Sequence, residues 1–253
     1  MDSAVQSKIQ LLALDLDQTL LTNDKRISET NRHWIRKATE AGVIVMFATG
    51  RGVQTSENYR RELGLDSSPM VLVNGAEVWK SHEELLERHF LSRAGVHKLV
   101  KFARDNQVNF WGYSVESHTL GPNWTESMFE RDWLKFGMRS LDAGLIETMR
   151  NEVDSWGTFS VTYADPLNIE ISALGVSKAS GIKKVCECLQ IDLKAVMAIG
   201  DGHNDLEMLQ TVGLGVAMGN AADQVKAVAD ATTTSNEEDG VAQAIQRFIF
   251  QTL

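Results

Sequence analysis

Long apolar runs are missing from this chain. No stretch approaches the ~20 apolar residues of a membrane span, so a transmembrane protein is not expected. Nor does a basic segment followed by an apolar one open the chain, and no signal peptide is expected. Basic charge is in deficit: 25 Lys and Arg face 34 Asp and Glu, a net charge of −9. A nucleic-acid protein usually needs a basic face, so the charge argues against nucleic acid as the main partner and against anionic membrane surfaces. Cysteine is scarce, with only Cys186 and Cys188. One intervening residue on a helix turns the two side chains to different faces, which rules against a disulfide between them. Cys186 falls on the stripe Ile182, Val185, Cys186, Leu189 and is expected in the core. That usage fits a reducing, cytoplasmic setting. Internal repeats, low-complexity tracts and charge blocks are absent as well.

What remains is an ordinary globular composition, 43% hydrophobic and 23% charged over 253 residues, enough for one large domain or two small ones. The organising stretch is Leu11-Leu12-Ala13-Leu14-Asp15-Leu16-Asp17-Gln18-Thr19. A short apolar run within an α/β pattern reads as a buried parallel strand. Ser28 is placed to cap a helix that Gly42 closes. Val43–Phe47 is a second buried strand ending at Ala48-Thr49-Gly50-Arg51, followed by a helix over Val53–Leu63. Met70–Val73 is a third, ending at Asn74-Gly75. Strands alternating with helices imply βαβ units and a parallel sheet.

From about Glu77 to Ser172 the pattern changes. Strands at 108–115, 157–163 and 168–172 alternate and are richer in aromatics, and Asp165-Pro166-Leu167 supplies a turn between the last two. Helices are expected near Ala94–Asp105, Glu126–Phe136 and Gly144–Glu152. The α/β pattern returns with an amphipathic helix over Lys178–Gln190. Strands follow at Ala195–Ile199, ending at Gly200-Asp201-Gly202-His203-Asn204-Asp205, and at Leu214–Met218. Asn220 is placed to cap a helix carrying Ala221, Ala222, Val225 and Val228. Val241, Ala244, Ile245, Phe248 and Ile249 mark the last helix. The expected architecture is an α/β, Rossmann-like parallel core of residues 1–78 and 175–253. An α+β domain of residues 79–174 is inserted in it.

The chemistry lies at strand ends, where open α/β sheets bind ligands. Asp15 and Asp17 are costly there unless compensated, and a divalent cation compensates naturally. On their own they are equally a pair of solvated carboxylates. Thr49 and Gly50 offer a hydroxyl and an open N–H at a strand-to-helix turn, which suits a phosphoryl oxygen. Lys178 is a cation of the kind a transferring phosphoryl group needs, although a lysine at a helix start is usually just solvated. Asp201 and Asp205 invite a hard cation with oxygen ligands. His203 has no His or Cys partner at zinc-ligand spacing.

In this order and at these intervals, Asp15-Leu16-Asp17-Gln18-Thr19, Phe47-Ala48-Thr49-Gly50-Arg51, Lys178 and Gly200-Asp201-Gly202-His203-Asn204-Asp205 resemble the haloacid dehalogenase superfamily of phosphohydrolases. The nearest likeness is to its Cof-type branch, whose cap is an α/β insert between the second and third motifs. The resemblance implies that Asp15 is a nucleophile forming an aspartyl-phosphate and that Asp17 is the general acid and then base. It places Thr49, Gly50, Lys178 and Asn204 on the phosphoryl group. It makes Mg²⁺ the cofactor, held by the Asp15 and Asp201 side chains and the Asp17 main-chain carbonyl, with Asp205 supporting it from behind. Two positions depart from the family: Gln18 and Ala179 stand where glycine is usual. Arg51 receives no catalytic role. Trp111, Tyr113, Trp124 and Trp133 are read as insert core or as pocket lining.

The implied function is a cytoplasmic, Mg²⁺-dependent phosphomonoester hydrolase for a small phosphorylated metabolite such as a sugar phosphate or a nucleotide or cofactor phosphate. The insert would read the leaving group. A phosphomutase on the same core, or a non-catalytic phosphometabolite binder, are the alternatives. Oligomeric state is not legible.

Overall fold

The computed structural model describes residues 9–163 and 165–251. Chain contacts divide the protein into two compact units, Met1–Leu86 with Lys178–Leu253, and Glu87–Ser177.

The first unit is built on β1 (Leu11–Leu14), all four residues buried. It is sandwiched between two parallel neighbours in register, Leu11 opposite both Ile44 and Val196. A strand with sheet on both sides and layers above and below has no polar face, which is why it reads as an unbroken apolar run. α1 (Glu29–Glu40) follows, capped as expected by Ser28, whose hydroxyl accepts from the Asn31 N–H. Next come β2 (Ile44–Ala48), α2 (Val53–Glu62) and β3 (Met70–Leu72). β4 (Glu77–Ser81) and β5 (Glu84–Arg88) extend the sheet, β4 pairing antiparallel to β3 with Met70 opposite Trp79. The hairpin therefore lies in the large sheet, although the sequence pattern placed residues from 79 onward in the insert. Leu85, 36% exposed, shows why: an edge strand carries little of the apolar signature of a central one.

In the second unit, α3 (Arg93–Asp105) precedes β6 (Asn109–Ser114), β7 (His118–Leu120) and β8 (Trp133–Arg139). α4 (Ala143–Ser155), β9 (Phe159–Thr162) and β10 (Asn168–Ala173) complete it. The strands form an antiparallel sheet in the order β7-β6-β8-β10-β9. Phe110, Met138 and Ile169 are cross-strand neighbours and join Leu99, Val100, Ile146 and Met149 of the helices in one apolar cluster. The helix expected over Glu126–Phe136 is corrected. Glu126–Glu130 is a single 3₁₀ turn and Trp133–Arg139 is a strand. The four-residue spacing of Phe129 and Trp133 imitates a helix. From Lys135 on the period is two, with Phe136 and Met138 in the core and Lys135 and Gly137 on the other face. Trp124 and Trp133 stack within the core, ring centroids 4.5 Å apart. Trp111 and Tyr113 are half-buried on the opposite face.

The chain then rejoins the first unit. α5 (Lys178–Leu189), β11 (Val196–Gly200), α6 (Leu206–Thr211), β12 (Leu214–Ala217), α7 (Asp223–Lys226), β13 (Ala231–Thr232) and α8 (Gly240–Ile245) follow in order. The sheet runs β13-β12-β11-β1-β2-β3-β4-β5, parallel from β13 to β3. Cys186 is buried and Cys188 exposed, both as free thiols. The Asn220 cap is also corrected. α7 begins after Ala222, and the Asn220 side chain instead donates to the Gln18 carbonyl and accepts from the Asn236 N–H. It ties the loop after β12 to the loop after β1. The last helix passes into a π turn at Gln246–Phe250. Among the described residues, no helix is long and apolar enough to cross a membrane.

Candidate active site

Asp15 is the first residue beyond β1, and its N–H donates to the Ile199 carbonyl at 3.0 Å, so the ladder with β11 carries it to the edge of the sheet. Thr49 follows β2, Asn74 follows β3 and Asp201 follows β11. Parallel strands end on the same side, which brings residues 15, 49, 74 and 201 together from four parts of the sequence.

Lys178 opens α5 and points into this edge, 1% exposed. Its ammonium donates to Asp15 Oδ1 at 2.7 Å and Asp205 Oδ1 at 2.6 Å. The other oxygen of Asp205 accepts from the N–H groups of Asp201, at 3.0 Å, and Gly202, at 2.9 Å. Asp205 therefore braces both the lysine and the turn carrying Asp201. The brace requires Gly200, because a Cβ there would sit 2.5 Å from the Asp205 carboxyl carbon. Carboxylate oxygens of Asp15, Asp201 and Asp205 lie within 4.8 Å of one another. Thr19 donates to Asp201 Oδ1 at 2.7 Å. Thr19 lies within the first motif, but its contact with Asp201 is not visible in the sequence.

Three carboxylates around one ammonium leave an excess of negative charge, which adds to the effect of burial on their acidities. Burial pushes the Asp15 carboxyl well above the usual range; Lys178 opposes the shift, while Asp205 and Asp201 add to it. Asp201 is pushed up to about 7 by burial and then by Asp205, against the Thr19 hydrogen bond. Burial alone would favour neutral Lys178. Asp15 and Asp205 outweigh it, so its pKa is raised and the ammonium persists.

Thr49 is buried, its hydroxyl oxygen accepting from the Arg51 N–H at 3.2 Å beside half-buried Gly50. Asn204 donates to Asn74 Oδ1 at 3.2 Å. Val73 and Asn74 both have left-handed backbones, φ 53° and 57°, a costly conformation for a β-branched residue that turns the chain sharply after β3. Gln18 is left-handed as well, φ 59°, which accounts for the glycine usual at that position.

Asp17 departs from the rest. Its carboxylate, 41% exposed, is held by Arg51 and Lys25 rather than joining the three other aspartates. Burial would raise its pKa, but hydrogen bonds from Arg51 and Lys25 bring it down to about 2. Neither cation is marked by the sequence pattern, since both contacts are made only through the fold.

A buried lysine among carboxylates, at the carboxyl edge of a parallel sheet, is a framework for phosphoryl transfer. The chain matches the haloacid dehalogenase-like hydrolases over residues 12–137 and 116–245, and it belongs to that family. It is 39% identical over 241 residues to the 5-amino-6-(5-phospho-D-ribitylamino)uracil phosphatase YcsE of Bacillus subtilis (strain 168), covering 95% of this chain and 96% of that one. A second phosphatase of the same description and organism, YitU, is 30% identical over 268 residues, covering 96% and 99%. Among solved structures, a haloacid dehalogenase-like hydrolase from Bacteroides thetaiotaomicron superposes with a TM-score of 0.80 at 29% identity, covering 95% and 99%. The protein is a phosphatase with the Rossmann-like core and cap domain of that family.

Proposed function

We propose that this phosphatase hydrolyses a small phosphomonoester through an aspartyl-phosphate on Asp15, with Mg²⁺ as cofactor. The observation that carries the reading is Lys178, buried between Asp15 and Asp205. A buried ammonium fixed on a strand-end carboxylate costs desolvation on both sides, and a site that handles phosphoryl charge gives that arrangement a use. The donor set fits a hard divalent ion, because three clustered carboxylates exceed one ammonium by two charges. Asp15 and Asp201 would hold it with side-chain oxygens and Asp17 with its carbonyl, while Asp205 keeps the turn in place. When bound, Mg²⁺ neutralises charge developing on the phosphoryl oxygens.

The chain's own groups divide the work. Asp15 attacks phosphorus, the O–P bond forms, and the bond to the leaving oxygen breaks. Asp17 gives that oxygen a proton, one that it must first take up against the two cations that hold its pKa low. In the second half Asp17 takes a proton from water, the water oxygen bonds to phosphorus, and the bond to Asp15 breaks, freeing phosphate. Lys178, Thr49, Gly50 and Asn204 receive the phosphoryl oxygens. The Glu87–Ser177 unit reads the leaving group. The two similar phosphatases make 5-amino-6-(5-phospho-D-ribitylamino)uracil the first substrate to test. Two free thiols fit a cytoplasmic setting. The test is phosphate release over a panel of phosphorylated metabolites with Mg²⁺, monitoring isomer formation in parallel. Release of phosphate from at least one of them supports the reading, and an isomer without phosphate overturns it.

A further inference from the structure

Asp17 is gripped by two cations, Arg51 and Lys25, that stand outside the roles described so far. Arg51 meets it side-on, Nε to Oδ2 and Nη2 to Oδ1, both at 2.7 Å. Lys25 adds an ammonium to Oδ1 at 2.7 Å. The fork is itself supported. Arg51 Nη1 donates to the Thr55 carbonyl at 3.0 Å, and the guanidinium carbon lies 5.2 Å from the centroid of the Tyr59 ring. The Tyr59 hydroxyl donates to the Lys25 carbonyl at 3.0 Å. Lys25 sits at φ 59°, left-handed, in a turn closed by its N–H on the Thr22 carbonyl and by the Thr22 N–H on the Arg26 carbonyl. The contacts thus close a ring, from Asp17 to Arg51, Tyr59, Lys25 and back to Asp17.

An isolated surface ion pair needs no such apparatus and contributes little. Here a strained lysine, a stacked guanidinium and a bidentate fork converge on one carboxylate, and a fork specifies orientation as well as charge. The Arg51 side chain is only 20% exposed, so solvent does not dissolve the contact. Left to rotate, an Asp17 carboxylate within the charge field of Asp15, Asp201 and Asp205 would sample positions useless for proton transfer, which demands hydrogen-bond reach and alignment.

We propose that Arg51, backed by Tyr59 and Lys25, is the positioning residue of Asp17. It sets the direction of that carboxylate while the Lys178 side of the site handles the phosphoryl group. This inference rests on the reading of Asp17 as general acid and base. It separates two steps that one substrate can distinguish. p-Nitrophenolate leaves without a proton, so phosphorylation of Asp15 by p-nitrophenyl phosphate does not need Asp17. Hydrolysis of the aspartyl-phosphate does, and so does phosphorylation by an alkyl ester such as β-glycerophosphate.

The experiment is rapid-mix kinetics on Arg51→Ala, Arg51→Lys and Lys25→Met with both esters and Mg²⁺, after circular dichroism establishes folding. In Arg51→Ala, p-nitrophenolate should appear as a burst about equal to the enzyme, at a burst rate within about threefold of wild type. The steady-state kcat should fall at least about tenfold, a modest share of what general acid–base groups supply. β-Glycerophosphate turnover in a single-turnover format should fall by a similar factor, with KM within about threefold. Arg51→Lys should recover part of the loss. Lys25→Met, at a half-exposed position that folding tolerates, should show the same burst with a smaller drop. Equal loss in burst and steady-state rates with raised KM would assign Arg51 to the phosphoryl group and overturn the inference. Unchanged kinetics in all three variants would overturn it as well. Wild-type enzyme that releases phosphate from neither these esters nor the metabolite panel would instead remove the phosphatase reading beneath it.

Discussion

Replacing Lys178 by Met tests the electrostatic reasoning at its centre. Methionine keeps length and apolar stem but deletes the ammonium that sits 2.7 Å from Asp15 and 2.6 Å from Asp205. Removing one partner of a buried ion pair typically costs about 3–5 kcal/mol, because the remaining charge is stranded. At about 2–4 °C per kcal/mol for a chain of this size, the metal-free protein should melt about 6–20 °C lower at pH 8. The carboxylates have an escape, which is protonation. Without Lys178, the folded-state pKa of Asp15 rises further above its unfolded value. A carboxyl whose folded pKa is raised destabilises fully above that pKa and less as the pH falls toward the unfolded value near 3.8. The deficit of Lys178→Met relative to wild type should therefore be largest at pH 8 and shrink by pH 5. The assay is thermal or guanidinium unfolding of both proteins in chelator at the two pH values. Equal deficits at pH 5 and pH 8, or a deficit under about 1 kcal/mol at pH 8, would refute the picture of a lysine that balances buried carboxylates.

Other consequences are simpler to state. Asp15→Asn should leave the circular dichroism spectrum intact and abolish nearly all phosphate release, as a nucleophile must be ionised; substantial activity in that variant would remove Asp15 from its role. A chelator should abolish turnover and Mg²⁺ restore it, whereas Ca²⁺, with ligands at ~2.3–2.6 Å and looser geometry than the ~2.0–2.1 Å octahedron of Mg²⁺, should inhibit; full activity without metal would contradict the donor-set argument. Gly181→Ala should destabilise by about 1–3 kcal/mol, because the new Cβ falls 2.5 Å from Val71 Cγ1 where α5 meets β3, and overpacking forces a shift; a denaturation midpoint equal to wild type would show that the helix slides freely.

The parallel part of the fold was legible because burial on both faces leaves an unmistakable record. β1, β2 and β11 are nearly continuous apolar runs, and each ends where the chain turns polar. The edges were not. β5 carries Glu84, Glu87 and Arg88 around two leucines, since a strand with one open side has no reason to be apolar throughout. β8 was mistaken for helix because Phe129 and Trp133 reach the same core from a 3₁₀ turn and a strand, and a core contact does not disclose the backbone that delivers it.

The site divides along a different line. A strand end or a helix start fixes where a backbone arrives, so residues 15, 49 and 201, and Lys178 at the start of α5, could be located from their motifs. The direction of a side chain depends on partners far away in the chain. Thr19 meets Asp201 across 182 residues, and Arg51 meets Asp17 across 34. Both partners of each pair stood inside recognised motifs, yet no spacing rule joins them. Their contact follows from β1 lying between β2 and β11, a fact of sheet order rather than of local pattern. That order puts the Asp201 turn on one side of the Asp15–Thr19 loop and the Arg51 turn on the other. The same loop is then pulled both ways: Thr19 toward the carboxylates and Lys178, Asp17 toward the guanidinium. Two aspartates separated by one residue acquire opposite acidities in this way, one pushed up by burial among carboxylates and one held down by cations. That difference follows from the side of the loop each side chain faces, and a cation bound beside Asp15 would bring its carboxyl back toward the ionised form that a nucleophile needs.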